Sequence, residues 1–273
     1  MKKTEYVLGT GIDELERLAI QHRIWADATV MSWKRAGISP GCTVLDLGSG
    51  PGHATFDLAQ LVTHHGKIIA FDESESFMSF VKAEADRRNL SQIETQIGDV
   101  HNLTASFPEP IFDYIYCRWV LCWLKHPEKA IQGMMKVLKP GGKVIIHDYF
   151  NWKTMTIAPR SKYLDMVIDK TIETFNERGG DIDVAARLPS LLKESGFSLQ
   201  HFDTHQRVAQ GGGKDSTIYW PITWWKTFAP KLVDSKKLSA NDCEKALQDL
   251  DTLALDETKF YVCPTVYEFI AQK

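Results

Sequence analysis

The fold class that the sequence predicts is α/β, a seven-stranded and mostly parallel sheet with helices on both faces, and three observations predict it. Between Thr43 and Tyr149 short β-branched or apolar runs alternate with helical stretches, the cadence of parallel strands joined by crossover helices. Apolar residues at helical spacing precede this stretch, which puts N-terminal helices before the sheet. Strands return after it only between helical runs, which reads as one sheet carrying a helical cap insert.

The elements follow in order. Over 12 to 36, Leu15, Leu18, Ala19, Ile24 or Trp25 and Ala28 keep helical spacing, and Gly37 and Pro40 close the run, so 1–40 forms a helical extension of one or two helices. The core, 41–150, begins with a strand at 44 to 47, a helix at 53 to 64, a strand at 67 to 71 and a helix at 75 to 88. Strands at 93 to 97 and 114 to 117 follow, then a helix at 127 to 138 and a strand from 144. That helix has Pro127 in its first turn, Ile131, Met134, Met135 and Leu138 on one face, and a Pro140-Gly141-Gly142 stop. Past Tyr149 an amphipathic helix is predicted at 161 to 177 on Leu164, Val167, Ile168, Ile172 and Phe175, and a short one at 189 to 195. A strand at 198 to 209, a Trp-rich helical segment at 214 to 257 and a strand at 266 to 271 complete the chain. The inserts 151–184 and 211–257 are read as a lid hinged at Gly211 to Gly213, and 185–210 and 258–273 as the rest of the sheet.

A chain of 273 residues is within the reach of one large domain, and 44% hydrophobic with 25% charged residues excludes disordered, collagen-like and coiled-coil classes. A net charge of −3 argues against an electrostatically driven binder of nucleic acid or membrane surfaces. Cys42, Cys117, Cys122, Cys243 and Cys263 are an odd set with no CxxC and no paired histidine spacing, which indicates neither a disulfide framework nor a zinc site. No apolar stretch follows Met1-Lys2-Lys3-Thr4-Glu5, and no run approaches the ~18 apolar residues of a spanning helix, so the chain reads as cytoplasmic.

The most informative stretch is Asp46-Leu47-Gly48-Ser49-Gly50-Pro51-Gly52, a buried strand running into three alternate glycines before a helix. Such a loop after the first strand of an open sheet marks a nucleotide site. A dinucleotide fingerprint would need Gly or Ala at 53, where the chain has His53. The next strand ends in Asp72, twenty residues after Gly52, where an acid can accept both hydroxyls of a ribose.

With Asp46 two residues ahead of the first glycine, the loop resembles motif I of class I S-adenosylmethionine-dependent methyltransferases, a Rossmann-like family whose cofactor has no pyrophosphate. Gln96-Ile97-Gly98-Asp99-Val100 is similar to that family's third-strand ending, Phe112 to Leu121 to its fourth strand and loop, and Val137 to Gly142 to the loop before its fifth. The likeness covers residues 40 to 150 and is closest to the small-molecule branch that includes the ubiquinone and menaquinone biosynthesis enzymes. It implies S-adenosylmethionine held by Asp46, Gly48, Ser49, Gly50, Gly52, Asp72, Glu73, Asp99, Val100 and Cys117. Asp99 is then expected at the adenine amino group, Val100 at its ring, and the backbone of Gly48 and Cys117 at the methionine end. Glu73 departs from the family, which commonly has an apolar residue there.

Methyl transfer from a sulfonium asks for alignment, exclusion of water and, for some acceptors, a base, so a catalytic residue is not obligatory. His147 and Asp148, at the fifth-strand end, are the candidates, against a reading in which His147 bonds a neighbouring loop and Asp148 caps one. On the substrate side stand His22, on a helix able to fold over the cofactor, and Arg118, which serves either as an anion ligand or as a loop brace. Of eight tryptophans, Trp119, Trp123, Trp152, Trp220, Trp224 and Trp225 follow strand ends or lie in the late insert. Trp119, Tyr149, Trp220 and Trp224 are the candidate walls of a chamber for an apolar or planar acceptor, unless they only pack the cap. No metal is expected, because Cys117-Arg118-Trp119 offers no carboxylate-rich oxygen cluster.

The expected function is transfer of a methyl group to an O, N or C atom of a small, apolar or aromatic molecule, with no nucleic-acid partner. An RNA or protein methyltransferase is disfavoured by the charge, the cap and the lack of an Asn/Asp-Pro-Pro-aromatic tetrapeptide. A protein that binds the same cofactor for a non-methylation reaction stays open, and His53 argues against a nicotinamide oxidoreductase.

Overall fold

A computed structural model describes residues 11–213 and 216–273; the first ten residues of the expected extension and residues 214–215 of the expected cap lie outside them. Helix α1 (Ile12–Ala36) is a single helix with Asp13 and Glu14 in its first turn and Lys34 and Arg35 in its last, charges that oppose its dipole. Gly37 ends it at φ 99°, its N–H turned back to the carbonyls of Trp33 and Lys34.

The first half of the core is β1 (Thr43–Leu47), α2 (His53–Val62), β2 (Lys67–Asp72), α3 (Glu75–Arg87) and β3 (Ile93–Ile97). A short helix α4 (Leu103–Ser106), β4 (Phe112–Arg118), α5 (Pro127–Val137) and β5 (Leu138–Tyr149) form the second. Leu138 is already extended, so the Pro-Gly-Gly segment expected as a stop belongs to β5. Then come β6 (Thr156–Ala158), α6 (Lys162–Glu177), α7 (Leu188–Glu194), β7 (Ser198–His205), β8 (Val208–Gln210), α8 (Tyr219–Asp234), α9 (Ala240–Leu255), β9 (Phe260–Val262) and β10 (Val266–Gln272).

Seven strands make one sheet in the order β3-β2-β1-β4-β5-β10-β7, in which β10 runs antiparallel to both neighbours. A second sheet, β6-β9-β8, was not expected. The single strand read at 198 to 209 is two, β7 on β10 and β8 on β9, and residues 258–273 likewise divide between the two sheets.

The central strands of the large sheet are buried on both faces, which is why β1 and β2 read as near-continuous apolar runs, while the outer strands β3 and β7 are largely exposed. Leu45, Phe71, Ile115 and Ile146 pack beneath Ile131 of α5 and Leu188 of α7, while Val44, Ile68 and Ile145 pack against Trp33 of α1 and Leu58 of α2. Each such fully buried side chain stabilises by roughly 1.5–3 kcal/mol. Helices α6, α8 and α9 share a separate core with the small sheet, in which Leu164, Trp225, Phe228, Leu250 and Tyr261 meet. No helix among the described residues is long and apolar enough to cross a membrane. All five cysteines are free thiols.

Candidate functional site

Strand order reverses between β1 and β4, and at such a switch point an open sheet leaves a crevice outside its carboxyl ends. A cavity of about 560 Å³ lies there, walled on one side by the loop after β1 and on the other by the cap. Gly48, at φ +66°, passes so near Val120 that a Cβ would stand 2.3 Å from its Cγ2. Gly50, at φ +53°, is the reverse: a Cβ there would meet nothing within 4 Å. Only glycine leaves the loop backbone bare at that point.

Asp72, the last residue of β2, holds the loop, its Oδ2 accepting the Gly50 N–H at 2.9 Å and its Oδ1 that of Ser74 at 2.9 Å. Burial raises its pKa. Asp46 is also buried and accepts the Thr55 hydroxyl at 2.6 Å; burial pushes it up to about 6, against that bond. Ser49, Glu73, Asp99 and Val100 line the same wall, and Asp99 accepts the His101 N–H at 2.8 Å. Gly52 and Cys117 do not reach the surface of the cavity: Gly52 caps α2 against Val81, and Cys117 is buried in the sheet, its thiol pushed up by burial.

The opposite wall is aromatic. Trp119 follows β4 in the left-handed region at φ 54°, a conformation that costs a bulky residue about 1–2 kcal/mol. Its backbone N–H donates to the His147 carbonyl at 2.8 Å. The ring lies nearly parallel to Tyr149 (5.7 Å, 10°) and to Trp220 (6.2 Å, 16°). Trp123, Trp152 and Trp224 line the cavity as well. Trp225 does not; it is buried in the cap, donating to the Tyr261 hydroxyl at 3.0 Å.

Arg118 lines the cavity beside Trp119, its guanidinium 4.8 Å from that ring. It donates to Thr29 Oγ1 at 3.0 Å and meets His22 Nδ1 at 3.0 Å. His22 does not itself line the cavity. Its Nε2 is 2.9 Å from Asp57 and its Nδ1 meets Arg118, so it braces that guanidinium, and burial lowers its pKa.

The two candidate bases are corrected. His147 lies in the sheet under α1, with Nε2 2.9 Å from Ser32 Oγ and Nδ1 3.4 Å from the Tyr116 hydroxyl; burial pushes its pKa down to about 3. Asp148 faces the other layer and accepts the N–H groups of Cys122 (3.2 Å) and Tyr149 (3.0 Å), and burial pushes it up to about 7. Neither lines the cavity, because β5 continues past both and alternation turns them onto opposite faces of the sheet. His147, His205 and Glu268 also bring three potential metal ligands within 4.8 Å of one another, but Arg35 already donates to Glu268 at 2.6 Å.

The donor set suits a nucleoside sulfonium. The loop side carries four carboxylates, Asp46, Asp72, Glu73 and Asp99, while the two lining cations, Arg17 and Arg118, stand on the aromatic side, so the loop side favours a cation over a pyrophosphate. Ser49 Oγ and His53 Nε2, both on lining residues, are buried without a hydrogen-bond partner. Sequence reasoning missed Arg17, Leu18 and Gln21 of α1, Met155, and Tyr261 and Pro264 near the chain's end, which all line the cavity. The one local signal was the Arg17 and Gln21 spacing on a helix, since Arg17 donates to Gln21 Oε1 at 2.9 Å, which also receives the Trp220 Nε1–H at 2.9 Å.

The fold and this loop define an α/β enzyme that binds a nucleoside cofactor at the carboxyl ends of its first strands. Residues 38–179, more than half of the chain, match the methyltransferase-domain family, and the chain belongs to it. It is an S-adenosylmethionine-dependent methyltransferase of the class I small-molecule branch. It is 27% identical over 217 residues to the ubiquinone/menaquinone biosynthesis C-methyltransferase UbiE of Escherichia coli O1:K1, covering 74% of this chain and 76% of that one. In fold it is similar to the [4+2]-cyclase SpnF (TM-score 0.59, 19% identity, 90% of this chain and 80% of that). It is similar also to a Haemonchus contortus phosphoethanolamine N-methyltransferase in complex with S-adenosylhomocysteine (TM-score 0.59, 16% identity, 99% of this chain and 59% of that).

Proposed function

We propose that the acceptor is a small, apolar or aromatic organic molecule, methylated on O, N or C, and seated in the tryptophan-walled half of the cavity. The observation that carries this is the run of near-parallel rings Tyr149, Trp119 and Trp220 in one cavity with the glycine loop. Flat aromatic walls bind planar ligands by dispersion and offset stacking, worth about 0.5–1.5 kcal/mol per pair beyond burial. The printed name of UbiE makes that relative a C-methyltransferase of ubiquinone and menaquinone biosynthesis, which supports a ring-bearing acceptor.

S-adenosylmethionine, when bound, supplies a methyl group already activated on a sulfonium. In this reading Asp72 accepts the ribose hydroxyls, Asp99 and Val100 meet adenine, and the bare backbone from Gly48 to Gly50 meets the methionine end. Trp119, Tyr149, Trp220 and Trp224 orient the acceptor and exclude water, and alignment is the chain's main contribution. With His147 and Asp148 turned into the sheet, no general base is assigned.

The test is transfer of labelled methyl to a panel of phenols and quinols, small amines, a short RNA and a peptide. Label in the ring compounds, with Trp220→Ala raising the acceptor KM about tenfold and leaving cofactor affinity alone, is the expected result. Label entering only RNA or peptide would overturn it. Asp72→Ala should weaken S-adenosylhomocysteine by about 2 kcal/mol in calorimetry, the value of charged hydrogen bonds lost.

A further inference from the structure

On the tryptophan side of the cavity, helix α1 presents an amide whose two ends are in different states. Gln21 is 9% exposed and lines the cavity. Its Oε1 accepts two N–H groups, from the Arg17 guanidinium at 2.9 Å and from Trp220 Nε1 at 2.9 Å. A guanidinium and an indole nitrogen can only donate, so the two bonds fix the oxygen as the end that meets them. Arg17 is itself held, since both oxygens of Glu14 accept its N–H groups at 2.7 and 2.6 Å. The amide nitrogen is left over, and its two N–H donors have no partner among the described residues. The ring that Gln21 braces, Trp220, lies nearly parallel to Trp119 at 6.2 Å, so the free amide borders the flat walls of the chamber. An N–H donor among aromatic walls sorts ligands by whether they carry an acceptor atom, because one that lacks it strips water from the donor and gives no bond in return.

We propose that Gln21 determines acceptor specificity: its amide N–H groups donate to a hydroxyl or carbonyl oxygen on the ring that the tryptophans hold, so the acceptor is an oxygen-bearing ring and not a plain hydrocarbon. The proposal rests on the reading of the tryptophan-walled half as acceptor space and deepens it. Held at Oε1 by two donors, the amide does not turn, and its N–H groups fix where the ring oxygen lies. A planar ring between parallel walls is free to spin in its own plane. One directional bond at its edge removes that freedom and selects the atom presented to the methyl donor.

The test uses two probes of similar shape, acetophenone, whose carbonyl can only accept, and ethylbenzene, which has no polar atom. Tryptophan fluorescence of protein saturated with S-adenosylhomocysteine follows their binding at about pH 8, where a carboxyl introduced at position 21 is ionised. Wild type should prefer acetophenone by about fivefold or more, the worth of one hydrogen bond to a buried donor. In Gln21→Glu a carboxylate still accepts from Arg17 and Trp220 but donates nothing. The preference should therefore vanish, with the melting temperature kept and affinity for S-adenosylhomocysteine within about twofold. Gln21→Met loses both ends of the amide and should lose the preference as well, which keeps the test open if the Glu variant does not fold. Equal binding of the two probes to wild type would overturn the proposal, as would a preference that survives in either folded variant. Loss of S-adenosylhomocysteine affinity in step with the preference would assign the amide to the cofactor and overturn it too. The reading beneath fails differently: wild type binds S-adenosylhomocysteine and neither probe, and labelled methyl enters only RNA or peptide.

Discussion

Two buried polar regions of this molecule are built in opposite ways. Beneath α1, the carboxylate of Glu268 is wholly buried and surrounded: Arg35 donates at 2.6 Å, His205 Nε2 is at 2.6 Å, and Ser32 and His147 complete the shell. Burial alone would raise its pKa, but the bonds to His205, Ser32 and Arg35 outweigh it and hold the group at about 2. Along the cavity, by contrast, Ser49 Oγ, His53 Nε2 and the indole nitrogens of Trp119, Trp152 and Trp224 are buried with no partner. An unpaired buried polar group costs about 1–3 kcal/mol, so a fold keeps several together where something else completes them. Unpartnered nitrogens also occur outside the cavity, at Trp33 of α1 and at His201, 3.8 Å from Glu268, so the contrast is one of degree: the Glu268 carboxylate is fully paired, and the five cavity groups are those we propose a ligand completes.

The largest expected effect tests the first half of that contrast. Glu268→Ala strips the counter-charge from Arg35 and His205, and breaking a buried pair from one side costs about 3–5 kcal/mol. Urea unfolding should show a loss near the lower bound, since Arg35 is 33% exposed. Affinity for S-adenosylhomocysteine should stay within about twofold in the folded variant, because none of the groups that bond Glu268, Arg35, His205 and Ser32, lines the cavity. An unchanged stability with lost affinity would break the comparison.

A second test sharpens it by pH. In Glu268 the folded pKa lies below the unfolded one, so its stabilisation is full above about 4.5 and is lost as pH falls toward about 2. Asp148 has no cationic partner, and its folded pKa lies above the unfolded value, at about 7 against 3.8. The native state then holds the proton more tightly, and this group's contribution declines as pH rises from about 4 to 7. Asp148→Asn removes the titration, so its stability relative to wild type should rise by more than about 1 kcal/mol across that window in urea titrations. A constant difference would mean that Asp148 ionises as easily in the fold as outside it.

The same contrast explains what was legible in the sequence. The loop from Asp46 to Gly52 and the acid at Asp72 were readable because glycine spacing and a strand-end carboxylate are local signals, and helices α2, α3 and α5 start where expected. His147 was misplaced because β5 runs to Tyr149, two residues beyond it, so alternation and not the strand end decides where it points. The small sheet was invisible, as three-residue strands carry no period. The far wall of the cavity joins Arg17 and Gln21 to Trp220 and Tyr261, and a contact across some 200 residues leaves no mark in composition or spacing.

The smallest effects divide the two regions most cleanly, through one serine in each. Ser32 Oγ is engaged, donating to the Ala28 carbonyl at 2.9 Å and lying 2.9 Å from His147 Nε2. Ser49 Oγ is buried with no partner. Ser32→Ala should cost about 1 kcal/mol of stability, the net value of a hydrogen bond whose partners stay buried, and leave cofactor affinity alone. Ser49→Ala removes a hydroxyl whose burial is already unfavourable, so stability should hold or rise by a few tenths of a kcal/mol. Affinity for S-adenosylhomocysteine should fall about fivefold, the loss of one hydrogen bond formed only with ligand bound. Thermal melts with calorimetry on both variants decide the matter. Should Ser49→Ala destabilise the free protein as much as Ser32→Ala, its hydroxyl has a partner within the fold, and the division between a region that holds and a region that waits fails at its most exposed point.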